Sequence, residues 1–349
     1  MRQSIKPLLK SIFRVVKSAL PGRFQAGLQT LAERVVFRFT ADVHHLPPIF
    51  HYWSNRYLRP RFEAFSFSTP DAFFTAQLTK LNKAKPLRIL ALGSGRADLE
   101  LSIGSALRDA GFADFQIHGV DLTLHAVKDA RNKAAALGIA GHFVFEQADL
   151  NHWKADAEYD VVLANHCLHH VVQLETLFAQ VQICLKRSNG LFLVADMIGR
   201  NGHQLWPESP AEVRGFWAQL PAKQRFDRAA GKVENSFVNY DCAQVGFEGV
   251  RAQDILSLLC SSFEFELFLP YGGIVIPMIE RRTGWNFDVE NADDLAFVDR
   301  AEAREQALFQ DLTIKPTQMV AAMRASAFSG VHANGAACDT GCLYSPSRA

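Results

Sequence analysis

The sequence predicts an α/β fold built on a doubly wound, mostly parallel sheet, and three observations predict it. Short apolar runs alternate with helix-compatible segments from residue 86 to residue 196. The first run, Leu87-Arg88-Ile89-Leu90-Ala91-Leu92, ends in Gly93-Ser94-Gly95 and passes into a helical pattern. That is a buried strand, a tight turn and a helix N-terminus, where backbone is open to a ligand and spare amides favour its polar parts. The later runs end in Asp121, Asp149 and Asn165. Ligands on such sheets bind at the carboxyl ends of the strands, so the spacing gathers these tips around one crevice.

The elements follow in order. Strands are expected at Leu87–Leu92, Phe115–Asp121, His142–Glu146, Tyr159–Asn165 and Gly190–Asp196. Helices are expected between them at Ala97–Ala110, Leu122–Leu137 (stopped by Gly138) and Leu174–Leu185. Beyond Asp196 the alternation stops, and 197–241 reads as irregular with one helix near Ala211–Leu220. A helix at Asp254–Cys260, a strand at Phe263–Leu269, a helix at Asp293–Leu308 and a last strand within Thr313–Met323 complete the pattern, with a loop-like stretch at 271–292. Ahead of the sheet, residues 25–82 read as mostly helical. They break at Leu46-Pro47-Pro48, then run through an aromatic cluster at 49–58, and Ser68-Thr69-Pro70-Asp71 reads as a helix start.

The organisation expected is a helical extension and lid over 1–82, a cofactor-binding domain over 83–324 with an acceptor-side insert at about 197–292, and a disordered tail over 325–349. Residues 1–20 carry Leu9, Ile12, Phe13, Val16 and Leu20 at helical spacing beside Lys6, Lys10, Arg14 and Lys17. This stripe reads either as a helix lying on its own domain or as a weak peripheral contact with anionic lipid.

Bulk properties exclude several classes. The net charge is +1 over 349 residues, which argues against a nucleic-acid binder. No apolar run is long enough to span a bilayer. The six cysteines show neither a disulfide framework nor zinc-like spacing, so a cytoplasmic protein is expected, with the inner membrane face as the peripheral alternative.

The glycine turn suits three cofactor classes. A phosphate-binding loop would need Gly-x-x-x-x-Gly-Lys and Ser or Thr, which is absent. The dinucleotide fingerprint would need a third glycine where Asp98 stands, and a carboxylate facing a pyrophosphate repels it. S-adenosylmethionine has no phosphates and needs room for a ribose and a methionine tail.

Taken with the later strand tips, Leu90-Ala91-Leu92-Gly93-Ser94-Gly95-Arg96-Ala97 resembles the first motif of the class I S-adenosylmethionine-dependent methyltransferases. Asp121 stands where that family places an acid on the ribose hydroxyls. Gln147-Ala148-Asp149-Leu150 is similar to its adenine-holding segment, and Asn165-His166-Cys167-Leu168-His169-His170 to the motif after its fourth strand. The resemblance covers about 70–200. It implies a Rossmann-like, seven-stranded sheet ending in an antiparallel pair, S-adenosyl-L-methionine as cofactor, and cofactor contacts at Gly93, Ser94, Gly95, Asp121, Leu122, Ala148, Asp149, Leu150 and Asn165. Residues 45–61 and 240–320 resemble a bacterial small-molecule subgroup. Ala97 and Ala91 depart from the family's usual glycine and acid. Asp121 reads also as a helix cap and Asp149 as a turn cap.

The activity expected is in-line methyl transfer to a small-molecule acceptor, at a hydroxyl, or to a lipid-linked one. A nicotinamide-dependent oxidoreductase and a non-catalytic protein that keeps the fold for binding are the alternatives. A hydroxyl acceptor is served by a base of near-neutral pKa, and His166 and His170 are the candidates, sharing a face if helix begins at His166. No metal is expected, because no carboxylate lies near these histidines in sequence. Acceptor contacts are sought at Tyr52, Trp53, Tyr57, Trp206, Tyr240, Arg251 and Tyr271. Each of these aromatics reads equally as core. The cluster Glu248-Gly249-Val250-Arg251 with Asp254 reads either as acceptor-binding or as a salt bridge at a helix start.

Overall fold

The structure is a computed structural model that describes residues 45–185, 190–245 and 248–325. The basic stretch 1–20 with its membrane reading lies outside the described residues, as do residues 326–349 of the expected tail. Ala325, placed in that tail by the sequence, instead ends a strand. Among the described residues, no helix is long and apolar enough to cross a membrane.

Helical turns α1 (Pro48–Trp53) and α2 (Arg59–Glu63) flank a π-helical turn at Ser54–Leu58, and α3 (Pro70–Leu78) follows. Pro70 opens α3, and Thr69 caps it by accepting from Ala72 N at 3.0 Å. The alternating region then runs β1 (Leu87–Leu92), α4 (Asp98–Asp109), β2 (Phe115–Asp121), α5 (Leu124–Ala136), β3 (Phe143–Gln147), β4 (Val161–Asn165), α6 (Leu174–Leu185) and β5 (Leu191–Met197). Beyond it come α7 (Pro210–Trp217), a small hairpin of β6 (Phe226–Asp227) and β7 (Lys232–Val233), α8 (Ala252–Ser262), β8 (Phe263–Tyr271), α9 (Ile276–Ile279), α10 (Ala292–Gln310) and β9 (Gln318–Ala325).

Seven strands form one sheet in the order β3-β2-β1-β4-β5-β9-β8. The first five pair in parallel, and β9 is antiparallel to both β5 and β8. This is the α/β Rossmann-like sheet that the alternation predicted. The last strand begins later than its apolar pattern suggested, because Thr313–Thr317 is spent returning from α10 to the slot between β5 and β8. The hairpin of β6 and β7 and the turn α9 lie in stretches read as irregular; both are too short to show a period.

Successive strand residues point to opposite faces, and the core divides accordingly. Ile89, Ala91, Leu163, Leu193 and Val320 bury one face against Trp53, Phe62 and Phe73 of the N-terminal helices and Phe297 of α10. Leu90, Leu92, Val162, Phe192 and Met319 bury the other against Leu177 and Phe178 of α6 and Ile255 and Leu259 of α8. Both faces are covered, which is why these strands read as continuous apolar runs. Cys167, Cys184 and Cys242 are free thiols, whereas Cys260 is disulfide-bonded, which the scattered spacing did not predict.

The register sets the strand tips level. Leu92 pairs with Val120 and with Ala164, so Gly93, Asp121 and Asn165 stand one residue beyond a common line. Asn165 pairs with Ala195, which puts His166 level with Asp196.

Candidate active site

The glycine turn departs from β1 in a left-handed conformation. Gly93 and Gly95 have φ of 61° and 54°, and Ala97 continues the pattern at 60° before α4 begins. At Gly93 a side chain is excluded by position as well, since an added Cβ would lie 2.5 Å from Cys167 Cβ. At Gly95 an added Cβ would meet nothing within 4 Å. The turn is tied to β2: Ser94 N donates to Val120 O at 3.0 Å and Gly95 N to Asp121 Oδ2 at 3.0 Å. The other oxygen of Asp121 accepts from Thr123 N and Thr123 Oγ1 at 2.8 and 2.9 Å. Asp121 therefore serves the turn and the start of α5 together and stays partly accessible in the crevice.

Leu122 and Ala148 flank that acid; Ala148 N donates to Asp121 O at 2.9 Å, and Leu150 is half-buried against the core. The Asp149 carboxylate is held by its own turn. It accepts from Asn151 N and Asn151 Nδ2 at 2.9 and 3.0 Å and meets His152 Nδ1 at 3.1 Å. Burial alone would raise its pKa, but these partners outweigh it and lower it.

At the tip of β4, Asn165 Nδ2 reaches Asp71 Oδ1 at 3.5 Å, while Asn165 Oδ1 is buried with no hydrogen-bond partner. Asp71 was read in the sequence only as part of a helix start. It sits in the first turn of α3 and lines a cleft of 770 Å³ between α3 and α4, with Phe67, Thr75, Asp98 and Leu99.

Asp98 does not face the crevice as the sequence argument supposed. Its carboxylate is largely exposed and pairs with Lys133 of α5. The inward acid of α4 is Glu100, which is buried. Burial, reinforced by Asp121, Asp98 and Asp71, pushes its pKa up to about 8, so it is mostly protonated at neutral pH. Its position three residues into a helix gave a sequence signal no stronger than an ordinary first-turn acid.

The face shared by His166 and His170 does not form. His166 has φ of 49°, and a helical turn begins only at Leu168–His170 before Val171 extends. His166 keeps an accessible ring although protein surrounds it; that desolvation lowers its pKa despite Asp196 nearby. His170 is lowered to about 4 by burial and then by the neighbouring His169. Asp196, at the end of β5, organises the turn. Its Oδ2 accepts from Cys167 N and Leu168 N at 3.0 and 2.8 Å, and its Oδ1 from Met197 N at 2.7 Å and His169 Nδ1 at 2.5 Å. Burial opposes its charge, yet His169 holds its pKa down at about 2.

The seven residues sought for the acceptor are mostly committed elsewhere. Tyr52 Oη and Tyr57 Oη each donate to Asp299 Oδ1 at 2.7 Å, and Trp53 Nε1 to Glu302 Oε2 at 2.6 Å, which docks the aromatic cluster onto α10. Trp206 Nε1 donates to Pro316 O at 3.0 Å, and Tyr240 Oη to Glu234 Oε1 at 3.0 Å beneath Arg282. Arg251 is engaged by Glu175 at 2.7 and 2.8 Å, by Asp254 at 2.8 Å and by Val172 O at 2.9 Å, so its cluster is a salt bridge at the start of α8. Tyr271 is buried against Phe62 at the end of β8; burial raises its pKa, and Asp71 and Asp196 add to it.

Residues 83–240 match the family model described as a methyltransferase domain. Over that stretch the chain is similar to methyltransferase domains. Several solved structures are similar to parts of the chain. One is an S-adenosylmethionine-dependent methyltransferase from Mesorhizobium loti, 18% identical over 73% of this chain and 98% of that one, with a TM-score of 0.40. A geranyl diphosphate methyltransferase is 12% identical over 73% and 76%, TM-score 0.41. The CMeT domain of the citrinin polyketide synthase is 22% identical, TM-score 0.32, and this chain spans 38% of its length, as it does of ours. No curated protein sequence matches.

S-adenosylmethionine is the cofactor that this similarity points to. The crevice fits it: open space stands over Gly95, Asp121 keeps a carboxylate edge there, and Asn165 Oδ1 is a buried acceptor without a donor.

Proposed function

We propose that this chain methylates a small-molecule acceptor at a hydroxyl, with residues 83–324 as the cofactor-binding domain, 1–82 as its cap and 197–292 as the acceptor-side insert. The observation that carries the reading is the level line of Asp121, Gly93 and Asn165 at three adjacent strand tips, with the orphaned oxygen of Asn165 at one end of it.

When bound, S-adenosylmethionine supplies an electrophilic methyl on a sulfonium. The chain's part is to hold, orient and exclude water. Gly93, Ser94 and Gly95 let backbone come close. Asp121 accepts from ribose hydroxyls, Leu122, Ala148 and Leu150 wall the adenine, and Asp149 fixes their turn. Asn165 Oδ1 accepts from the donor's amino group. His166, next along and accessible, takes the acceptor's hydroxyl proton; its lowered pKa keeps it neutral and competent near pH 7.

Calorimetry with S-adenosylhomocysteine and a tritiated-methyl assay over a panel of phenols, alcohols and amines test this. Wild type is expected to bind the product and label a hydroxyl compound. His166→Gln is expected to bind it equally and turn over about 10²–10⁴-fold more slowly. Undiminished turnover in His166→Gln sinks the base; absent binding in wild type sinks the whole reading.

A further inference from the structure

Three segments far apart in sequence bring ring nitrogens and a carboxylate together beside the cofactor crevice. His169 and His170 come from the turn after β4, His203 from the turn after β5, and Glu248 from the loop before α8. The rings of His169 and His170 lie 4.1 Å apart, and those of His169 and His203 4.8 Å apart. Glu248 Oε2 is 3.9 Å from His169 Nε2 and 3.1 Å from His203 Nε2.

The backbone fixes this arrangement. Val250 N donates to His169 O at 3.0 Å, and Gly202 N to Gly249 O at 2.8 Å, so the Glu248 loop is clamped to both histidine turns. Gly249 has φ of 65°, and a Cβ there would lie 2.8 Å from His203 N. His203 itself holds a left-handed φ of 57°, a costly conformation for a histidine. His203 Nδ1 is buried with no hydrogen-bond partner.

We propose that His169 Nε2, a ring nitrogen of His170 and Glu248 bind a divalent transition-metal cation of the zinc class, with His203 completing or orienting the set. The ligand atoms of the first three lie within 4.8 Å of one another. In a tetrahedral site with bonds of about 2.1 Å, ligand atoms are roughly 3.4 Å apart, so closure needs side-chain shifts and no backbone change. Imidazoles with one carboxylate suit zinc, cobalt or nickel rather than magnesium. A second gathering, His166, His169 and Asp196, is not the site, because both Asp196 oxygens already accept two hydrogen bonds each. Asp196 instead does what carboxylates do behind metal-bound histidines: it accepts a hydrogen bond from His169 Nδ1–H, which leaves Nε2 facing Glu248. The cation would fasten the region after β5 onto the sheet next to His166, and it is independent of which acceptor is methylated.

The full chain, stripped with a chelator and dialysed, is titrated with Co²⁺ and followed by its visible d–d absorption. Wild type is expected to bind one equivalent with the intense bands of a four-coordinate nitrogen–oxygen site, to release it to Zn²⁺, and to ignore excess Mg²⁺. Zn²⁺ should raise the Tm of wild type. Glu248→Gln and His203→Asn, checked for folding by circular dichroism, should each weaken Co²⁺ at least about tenfold. Absence of a d–d band in wild type overturns the proposal. So does binding that both folded variants retain unchanged, since the metal would then sit elsewhere.

Discussion

Asp196 Oδ1 accepts a hydrogen bond from His169 Nδ1 at 2.5 Å, joining the end of the fifth strand to the turn that follows the fourth. The two residues are buried and 27 positions apart. Parallel strands make the contact possible, because Asn165 pairs with Ala195, so β4 ends level with Asp196, which is still paired to Met319 of β9. The pair shapes the turn from which His166 enters the crevice.

Replacing Asp196 by Ala should therefore be severe. It orphans the buried amides of Cys167 and Leu168 and strands His169, and removal of one partner of such a pair costs roughly 3–5 kcal/mol. Asp196→Asn keeps one acceptor oxygen and should lose less, about 1–3 kcal/mol. Urea unfolding of both variants measures this; equal losses would show that the charge contributes nothing beyond shape.

The two glycines of the turn should differ. Gly93→Ala combines a left-handed φ, about 1–2 kcal/mol, with a Cβ placed 2.5 Å from Cys167 Cβ, so its loss should approach or exceed about 3 kcal/mol. Gly95→Ala meets only the conformational cost and should stay near about 1–2 kcal/mol, yet weaken S-adenosylhomocysteine because its new methyl enters the ligand's space. Thermal unfolding with calorimetry separates the two effects.

Glu100 should write a pH dependence into stability. Its folded pKa, about 8, lies above the ordinary 4.5. Between those values the folded chain keeps a proton that the unfolded chain has released, so stability is fully present below about pH 4.5 and is lost as pH rises through 8. Glu100→Gln removes this dependence, and the variant should gain on wild type steadily from pH 5 to 8. Denaturation curves across that range decide it: parallel curves would mean the carboxyl is ionised when folded.

Arg251 should behave as a structural cation. With its guanidinium shared between Glu175, Asp254 and Val172 O, Arg251→Ala should cost under about 1 kcal/mol and leave the KM for the acceptor within about twofold. A tenfold rise in KM at unchanged stability would return the residue to the acceptor pocket.

The sequence by itself determined the sheet. The buried parallel strands show as apolar runs with helices between them, and Gly93, Asp121 and Asn165 were legible because each ends its own strand, where local pattern and position in the fold coincide. It did not determine which way side chains turn beyond the strand ends. Asp98 looked inward by its place in a motif, but helix geometry sends it to Lys133 and brings Glu100 in. His166 and His170 looked like one helical face, and a left-handed φ at His166 separated them. The aromatics of 49–58 looked like a lid, and Asp299 and Glu302 of α10 claimed their polar tips. Only the tertiary structure decided these, because each depends on a partner tens to hundreds of residues away. The expectation of no metal turned on the same point. The carboxylates that gather around His169 and His170 are Asp196 and Glu248, and it is long-range pairing of β5 and of the Glu248 loop, not spacing along the chain, that delivers them.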